Sequence, residues 1–273
     1  MDTSPDRHTN TSEIRPYSLR DSCGARLGPR PPWSGRIFLD GPLDRKWSER
    51  AIPVRVRRRE TAGAVRALGV IGPDVAVDQG PVDWHRVRAA GARFAFARAT
   101  AEGGARDMRF TPARWAAMRA AGLARGAYHL ARPGATPAEP EDEAQAFGAA
   151  LRLAGGLEQG DLPPALAVLD SALSAAETLA WIGDAATGIE AETGSMPLLL
   201  TSPPFWIDRL GDPRVSFGCD LWIADPEGPR IPRAWSDWTL WQYTSHGRMG
   251  GVDAPCGVSR VNPAYPQLGT VEA

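Results

Sequence analysis

The chain has one lysine, few cysteines and histidines, and no long apolar run, and each scarcity closes off a class of function. Lys46 is the single lysine among 31 basic residues. The arginines are scattered, which points to GC-rich coding and not to a selected guanidinium surface. Three cysteines, Cys23, Cys219 and Cys256, lack metal-ligand spacing and cannot all pair within one chain. A Cys219–Cys256 bridge stays open as an alternative, with reduced thiols expected if the protein stays in the cytosol. The histidines His8, His85, His129 and His246 stand apart without a carboxylate cluster, so neither a metal nor a cofactor is expected. No apolar run suits a transmembrane helix or the core of a signal peptide. The expected location is the cytoplasm, unless a route that needs no such leader exports the protein.

What is present fits one catalytic-sized domain. Of 273 residues, 43% are hydrophobic and 23% charged, and a single α/β barrel commonly takes about 200–250 residues. The net charge of −1 hides an asymmetry: residues 1–68 carry 14 basic and 8 acidic side chains, residues 69–273 carry 17 and 24. An acidic domain without a basic stripe argues against nucleic acid as a partner. Residues 1–68, rich in Pro, Gly, Ser and Arg and without hydrophobic periodicity, read as a disordered Arg-rich extension. Its RVRRR run at 55–59 is expected to be solvated, with contact to an anionic polymer or membrane as the functional reading. A true start near Val65 or Val70 is the other reading of this segment.

From residue 69 onward, short apolar strands alternate with longer helical segments, the signature of parallel strands joined by crossover helices. The expected strands are GVIGPDV, RFAFARAT, RGAYHLA, PALAVLD, PLLLTS, DLWIA, TLWQYT and CGVSRVN. Helical stretches fall at 81–91, 111–122, 137–154 and 174–193, the last with Leu179, Ile182 and Ile189 at helical spacing. The later strands follow one another with too little chain for full helices. The expected fold is α/β: a single (β/α)-barrel over 69–273, regular at first and strand-rich at its end.

The segments GPDVAVDQGPVDWHRVRAAGARFAFARATAEG, GLARGAYHLARP, MPLLLTSPPFW, DLWIAD and TLWQYTSHGRMGGV occur in an order that resembles the glycoside hydrolase family 25 muramidases, lysozymes of the Chalaropsis type. The resemblance covers roughly residues 69–265. It implies the flattened barrel of that family and, as ligand, the peptidoglycan that its members cleave.

Parallel barrels place chemistry at the carboxyl ends of strands. The family's Asp-Val-Ser is matched by Asp74, with Ala76 in place of Ser, and the resemblance implies that Asp74 belongs to the active site. The family's Asp-x-Glu follows a Pro-Pro-x-Leu lead. Here Pro163, Pro164, Ala165 and Leu166 run into Ala167, Val168 and Leu169, so both carboxylates are absent. Alternation along the strand points Ala167 and Leu169 inward. The family's final Val-Asp is met by Ser259 or Arg260, according to the gap chosen.

Two acids are candidate substitutes. Asp170 reaches the cleft only through a bulge. Glu102 is displaced by one residue, Ala101, from the family's Lys-Ala-Thr-Glu-Gly. For substrate binding, the candidates are Gln79, Arg98, Tyr128, Trp206, Trp222, Trp241, Gln242 and Tyr243, since aromatic faces suit pyranose rings and amides fix their orientation. His129 is expected to be a hydrogen-bonded core residue.

Three function classes follow. A glycan-binding pseudo-hydrolase, holding peptidoglycan or a related glycan or turned to an unidentified protein partner, is favoured by Ala167 and Leu169. A working N-acetylmuramidase would join Asp74 to Asp170 or Glu102. A structural or protein-interaction module would have its cleft filled.

Overall fold

The computed structural model describes residues 69–265; the extension 1–68 and Cys23 lie outside the described residues. Nine strands run in chain order: β1 Ile71–Val75, β2 Phe94–Ala101, β3 Ala105–Arg106, β4 Ala124–Ala131, β5 Ala165–Val168, β6 Leu198–Thr201, β7 Leu221–Ala224, β8 Leu240–Gly247 and β9 Cys256–Val261. Four helices join the earlier ones: α1 Trp84–Ala89, α2 Pro112–Ala120, α3 Pro140–Ala154 and α4 Ala175–Thr193. All eight expected strands and four expected helices form. The two-residue β3, which folds back on β2, and a six-residue π-helix at Pro204–Arg209 were not expected.

The helix ends follow local chemistry. Thr111 caps α2 ahead of Pro112, whose missing N–H costs nothing in a first turn. Ser174 and Glu177 form a reciprocal capping box on α4, and Gly194 ends it in the left-handed conformation at φ 74°.

Strands β1, β2, β4, β5, β6, β7 and β8 are mutually parallel neighbours, and β1 pairs with β2 to close the ring. Strand β9 enters antiparallel between β8 and β1. The result is an eight-stranded α/β barrel, and its closure leaves no long unpaired edge. The reversal of β9 matters for the site, because its first residues, not its last, lie at the carboxyl ends of the other strands.

Alternation divides the apolar side chains into two sets. Phe94, Phe96, Tyr128, Ala165, Ala167, Leu198, Leu200, Trp222, Leu240 and Val261 fill the interior. A larger cluster, including Phe110, Trp115, Phe147, Leu166, Ile182, Ile189 and Trp206, packs between sheet and helices. Small residues face large ones inside: the Phe96 and Trp222 rings meet at 4.5 Å between centroids. At Gly126 a Cβ would strike the Phe96 ring, so only glycine lets that ring lie on the wall.

Two buried polar networks tie helices to the barrel. His129 on β4 bonds Thr100 Oγ1 through Nδ1 at 2.8 Å and Glu143 Oε2 on α3 through Nε2 at 2.7 Å. It is the hydrogen-bonded core histidine that was expected. At the opposite end of β4, Arg125 donates from Nε and Nη2 to the two oxygens of Asp161 at 2.8 and 3.1 Å, with its guanidinium 4.4 Å from the Trp115 ring centroid. Both partners are 3% exposed.

Removing one member of such a pair strands a buried charge, whereas surface pairs contribute little. Asp161→Ala is expected to cost about 3–5 kcal/mol in urea unfolding. Glu192→Ala, which breaks the exposed bond to Arg152, is expected to cost less than about 1 kcal/mol. Equal losses would remove the distinction.

Candidate active site

Asp74 lies near the carboxyl end of β1, directly opposite Gly257 of β9. A Cβ at Gly257 would overlap the Asp74 carboxylate, so the absent side chain is what makes room for the acid. Gln242 on β8 donates from Nε2 to Asp74 Oδ2 at 2.8 Å. Burial raises the Asp74 pKa from 3.8 to about 6 against the lowering effect of that amide bond. The same enclosure raises neighbouring groups. The Tyr128 phenol is pushed far up by burial and then by Asp74, and the Cys256 thiol is pushed up to about 11 by the same two causes. Cys219 and Cys256 are both buried free thiols.

Arg98 and Tyr128 are paired neighbours on β2 and β4. Arg98 is fixed by Asp107, which accepts from Arg98 Nε at 3.0 Å and from the backbone N–H of Val77 and Arg109 at 2.9 Å each. Next to them, Ala165 and Ala167 are the inward residues of β5. Ala167 is fully buried, and Leu169 is 39% exposed at the lip. Inward on this strand there is no proton donor.

The structure therefore brings together Asp74, Gln242, Arg98, Tyr128, Ala167 and Leu169, and it separates the other candidates. Asp170 points outward, 56% exposed, and pairs with Arg132 at 3.0 Å. Glu102 is exposed in the turn 102–104, whose glycines pack against Thr136 and against Ala146 of α3. Gln79 is used up as a clasp, accepting from Ala76 N at 2.8 Å and donating to Pro255 O at 2.8 Å.

The aromatic groove expected from the sequence is corrected at four positions. Trp222 is sealed inside the barrel, its Nε1 donating to Ser259 Oγ at 3.0 Å. Trp206 is fully buried against Trp235 outside the sheet. Leu240 and Gln242 face inward, so Trp241 and Tyr243 face outward, where Arg260 lies 5.3 Å from each ring. Arg260 is thus on the outer wall, and Ser259 pairs with Gly72, deeper in the barrel than Asp74. The residue of β9 level with Asp74 is Gly257.

Three functional positions were not singled out from the sequence. Asp107 holds Arg98, and Gly257 admits Asp74. Asp225, just past β7, is 3% exposed at the lip of a cleft of about 450 Å³ lined also by Leu169, Ser202, Gln242, Thr244 and Arg230. Its place at a strand's carboxyl end was the available signal. The cleft carries the carboxyls of Asp225 and Glu227, the Gln242 amide that also holds Asp74, and an apolar lip. It can donate and accept hydrogen bonds and cover an apolar face, but general acid catalysis by a second carboxyl has no occupant on β5.

A raised carboxyl pKa means that the folded state holds the proton more tightly than the unfolded chain. This group's effect on stability is therefore most favourable below pH 3.8, declines as pH rises toward about 6, and is constant above that. Asp74→Asn is expected to gain up to about 3 kcal/mol over the parent at pH 8 and close to nothing at pH 4, measured by urea unfolding. An equal gain at both values would disprove the burial cost.

The sequence model of Glycosyl hydrolases family 25 matches residues 73–252, ending before β9. Lysozyme M1 of Streptomyces globisporus is 29% identical over 220 residues, 76% of this chain and 73% of that protein. The N,O-diacetylmuramidase of Arthroderma benhamiae is 28% identical over 200 residues, 68% of this chain and 81% of the relative. Among solved structures, the bacterial lysozyme from Streptomyces coelicolor is similar with a TM-score of 0.66 at 29% identity, over 74% of this chain and 96% of that one. A family 25 lysozyme from Aspergillus fumigatus gives 0.62 at 28% identity, over 73% and 97%. With the family model matched over about two thirds of the sequence and solved family structures sharing the fold, the chain belongs to glycosyl hydrolase family 25.

Proposed function

We propose that this chain binds peptidoglycan or a related glycan at the barrel mouth and hydrolyses it little or not at all. The observation that carries this reading is the pair Ala167 and Leu169, apolar at the two positions where the family resemblance implies an acid and its partner. Cleaving a glycosidic bond calls for one group to protonate the leaving oxygen and another to support the oxocarbenium-like centre. Asp74, poised near pH 6, supplies one carboxyl. Asp170 and Asp225 are each held by an arginine, and Glu102 lies in an exposed turn. Loss of general acid assistance alone removes about 10²–10⁴ in rate.

A second reading, a working muramidase, draws on the raised pKa of Asp74, which suits an acid near neutrality. Incubation of the purified chain with peptidoglycan, reading both co-sedimentation and release of reducing ends, separates the two. Co-sedimentation without release between pH 5 and 7 is expected. Robust release would install the second reading, and its loss in Asp170→Asn or Asp225→Asn would name the relocated acid.

Restoring the acids tests the same point from the other side. Ala167→Asp with Leu169→Glu is expected to give weak release of reducing ends, with a loss of stability of several kcal/mol that comes mostly from the fully buried position 167. A variant that folds, binds glycan and releases nothing would show that the surrounding groups no longer hold productive geometry.

A further inference from the structure

The loop after β7, residues 225–230, contains an arginine whose orientation is fixed by a buried acid. Asp225 Oδ2 accepts from Arg230 Nε at 3.1 Å and from Arg230 N at 3.2 Å, and Oδ1 accepts from Glu227 N at 3.3 Å. The residue is also held through its backbone: its N–H donates to Gln242 O at 3.1 Å, and its carbonyl accepts from Trp241 Nε1 at 2.7 Å. The Asp225 side chain is 4% exposed, while that of Arg230 is 52% exposed and lines the same cleft as Leu169 and Gln242. Among the described residues, the two terminal nitrogens of Arg230 make no hydrogen bond. A guanidinium presents five donors in a fixed fork, and here Nε is spent on Asp225 while the residue lines the cleft with its terminal donors unspent.

We propose that Arg230 is the specificity residue of this cleft and that it recognises a carboxylate carried by the bound glycan, on the lactyl group of a muramyl sugar or on its stem peptide. The proposal rests on the reading of the cleft as a glycan site. A side chain already ordered by Asp225 loses little rotamer entropy on binding, so a bidentate, charge-assisted contact keeps most of its strength. Glu227, exposed on the same loop, also lines the cleft, and its charge opposes an anion on its own side.

The test compares three ligands by titration calorimetry at low salt: an oligomer of N-acetylglucosamine alone, an alternating N-acetylglucosamine and N-acetylmuramic acid oligomer with free lactyl carboxylates, and the same oligomer with stem peptides amide-linked to those lactyl groups. The parent protein is expected to prefer a carboxylated oligomer by about tenfold, roughly the strength of one charge-assisted contact. Arg230→Gln is expected to abolish the preference and Arg230→Lys to keep part of it. The oligomer whose affinity falls in Arg230→Gln identifies which carboxylate is read. Equal affinity of the parent for all three ligands, or equal weakening of all three by Arg230→Gln, would overturn the role of Arg230 and leave the glycan site standing. Failure of the parent to bind any of them would overturn the glycan site, and this inference with it.

Discussion

A carboxylate at the closing seam of the barrel sets the terms for the whole mouth. Asp74 stands where β1 meets the reversed strand β9, and it fits only because residue 257 has no side chain and because Gln242, across β9, reaches it with an amide. No cation pairs with Asp74 among the described residues. The nearby arginines are engaged elsewhere, Arg98 with Asp107 and Arg230 with Asp225. The acid therefore bears the cost of burial, and that cost appears as its raised pKa.

The interior below it is filled on steric grounds. Phe96 and Trp222 meet inside a ring of eight strands, and they need small neighbours: Gly126 on the wall and alanines at 165 and 167. An interior of this kind is a packed core, with room for chemistry only at its upper lip. There Leu169 is the largest exposed apolar side chain beside the cleft, a surface suited to the apolar face of a sugar and unsuited to proton transfer.

The fold was legible because its signals are local and repeated. Strand and helix lengths alternate up to α4, and the short connections after β6 announced a barrel end without full helices. The substitution at 167 was legible too, since the Pro163-Pro164-x-Leu166 lead fixes the alignment and alternation then puts Ala165 and Ala167 on one face, Leu166 and Val168 on the other. The same period misled in β8, because Leu240, Trp241, Gln242 and Tyr243 offer an apolar or aromatic residue on either face, and only closure of the ring decides which face is inside. In β9 the open question was of a different kind. Ser259 and Arg260 were read from the family's final Val-Asp with the gap left open, and the reversed strand separates them, Ser259 bonded to Trp222 inside the barrel and Arg260 on the outer wall. Asp107 and Asp225 went unread because each acts by holding an arginine, and tertiary hydrogen bonds of that kind leave no periodic trace in sequence.

The energetics of the mouth bear on which function class fits. A barrel kept only as a structural module gains nothing from an unpaired buried acid. Asn at 74 would accept the same amide neighbour without the cost of about 3 kcal/mol that the ionised carboxyl carries at neutral pH. Likewise, a buried Asp225 that spends its oxygens on Arg230 stabilises less than well-packed apolar residues could. Two such costs, one bonded to the Gln242 side chain and one to its backbone, are hard to reconcile with a filled and idle barrel end. They suit the proposed binding site, in which groups are held in place before the ligand arrives at the expense of the empty fold. The acids missing from β5 are the opposite case, since apolar side chains at 167 and 169 relieve the interior of charge where the family resemblance implies that hydrolysis needs it. Stability argues against Asp74 and Asp225 and in favour of Ala167 and Leu169, a combination that the proposed recognition without cleavage would explain.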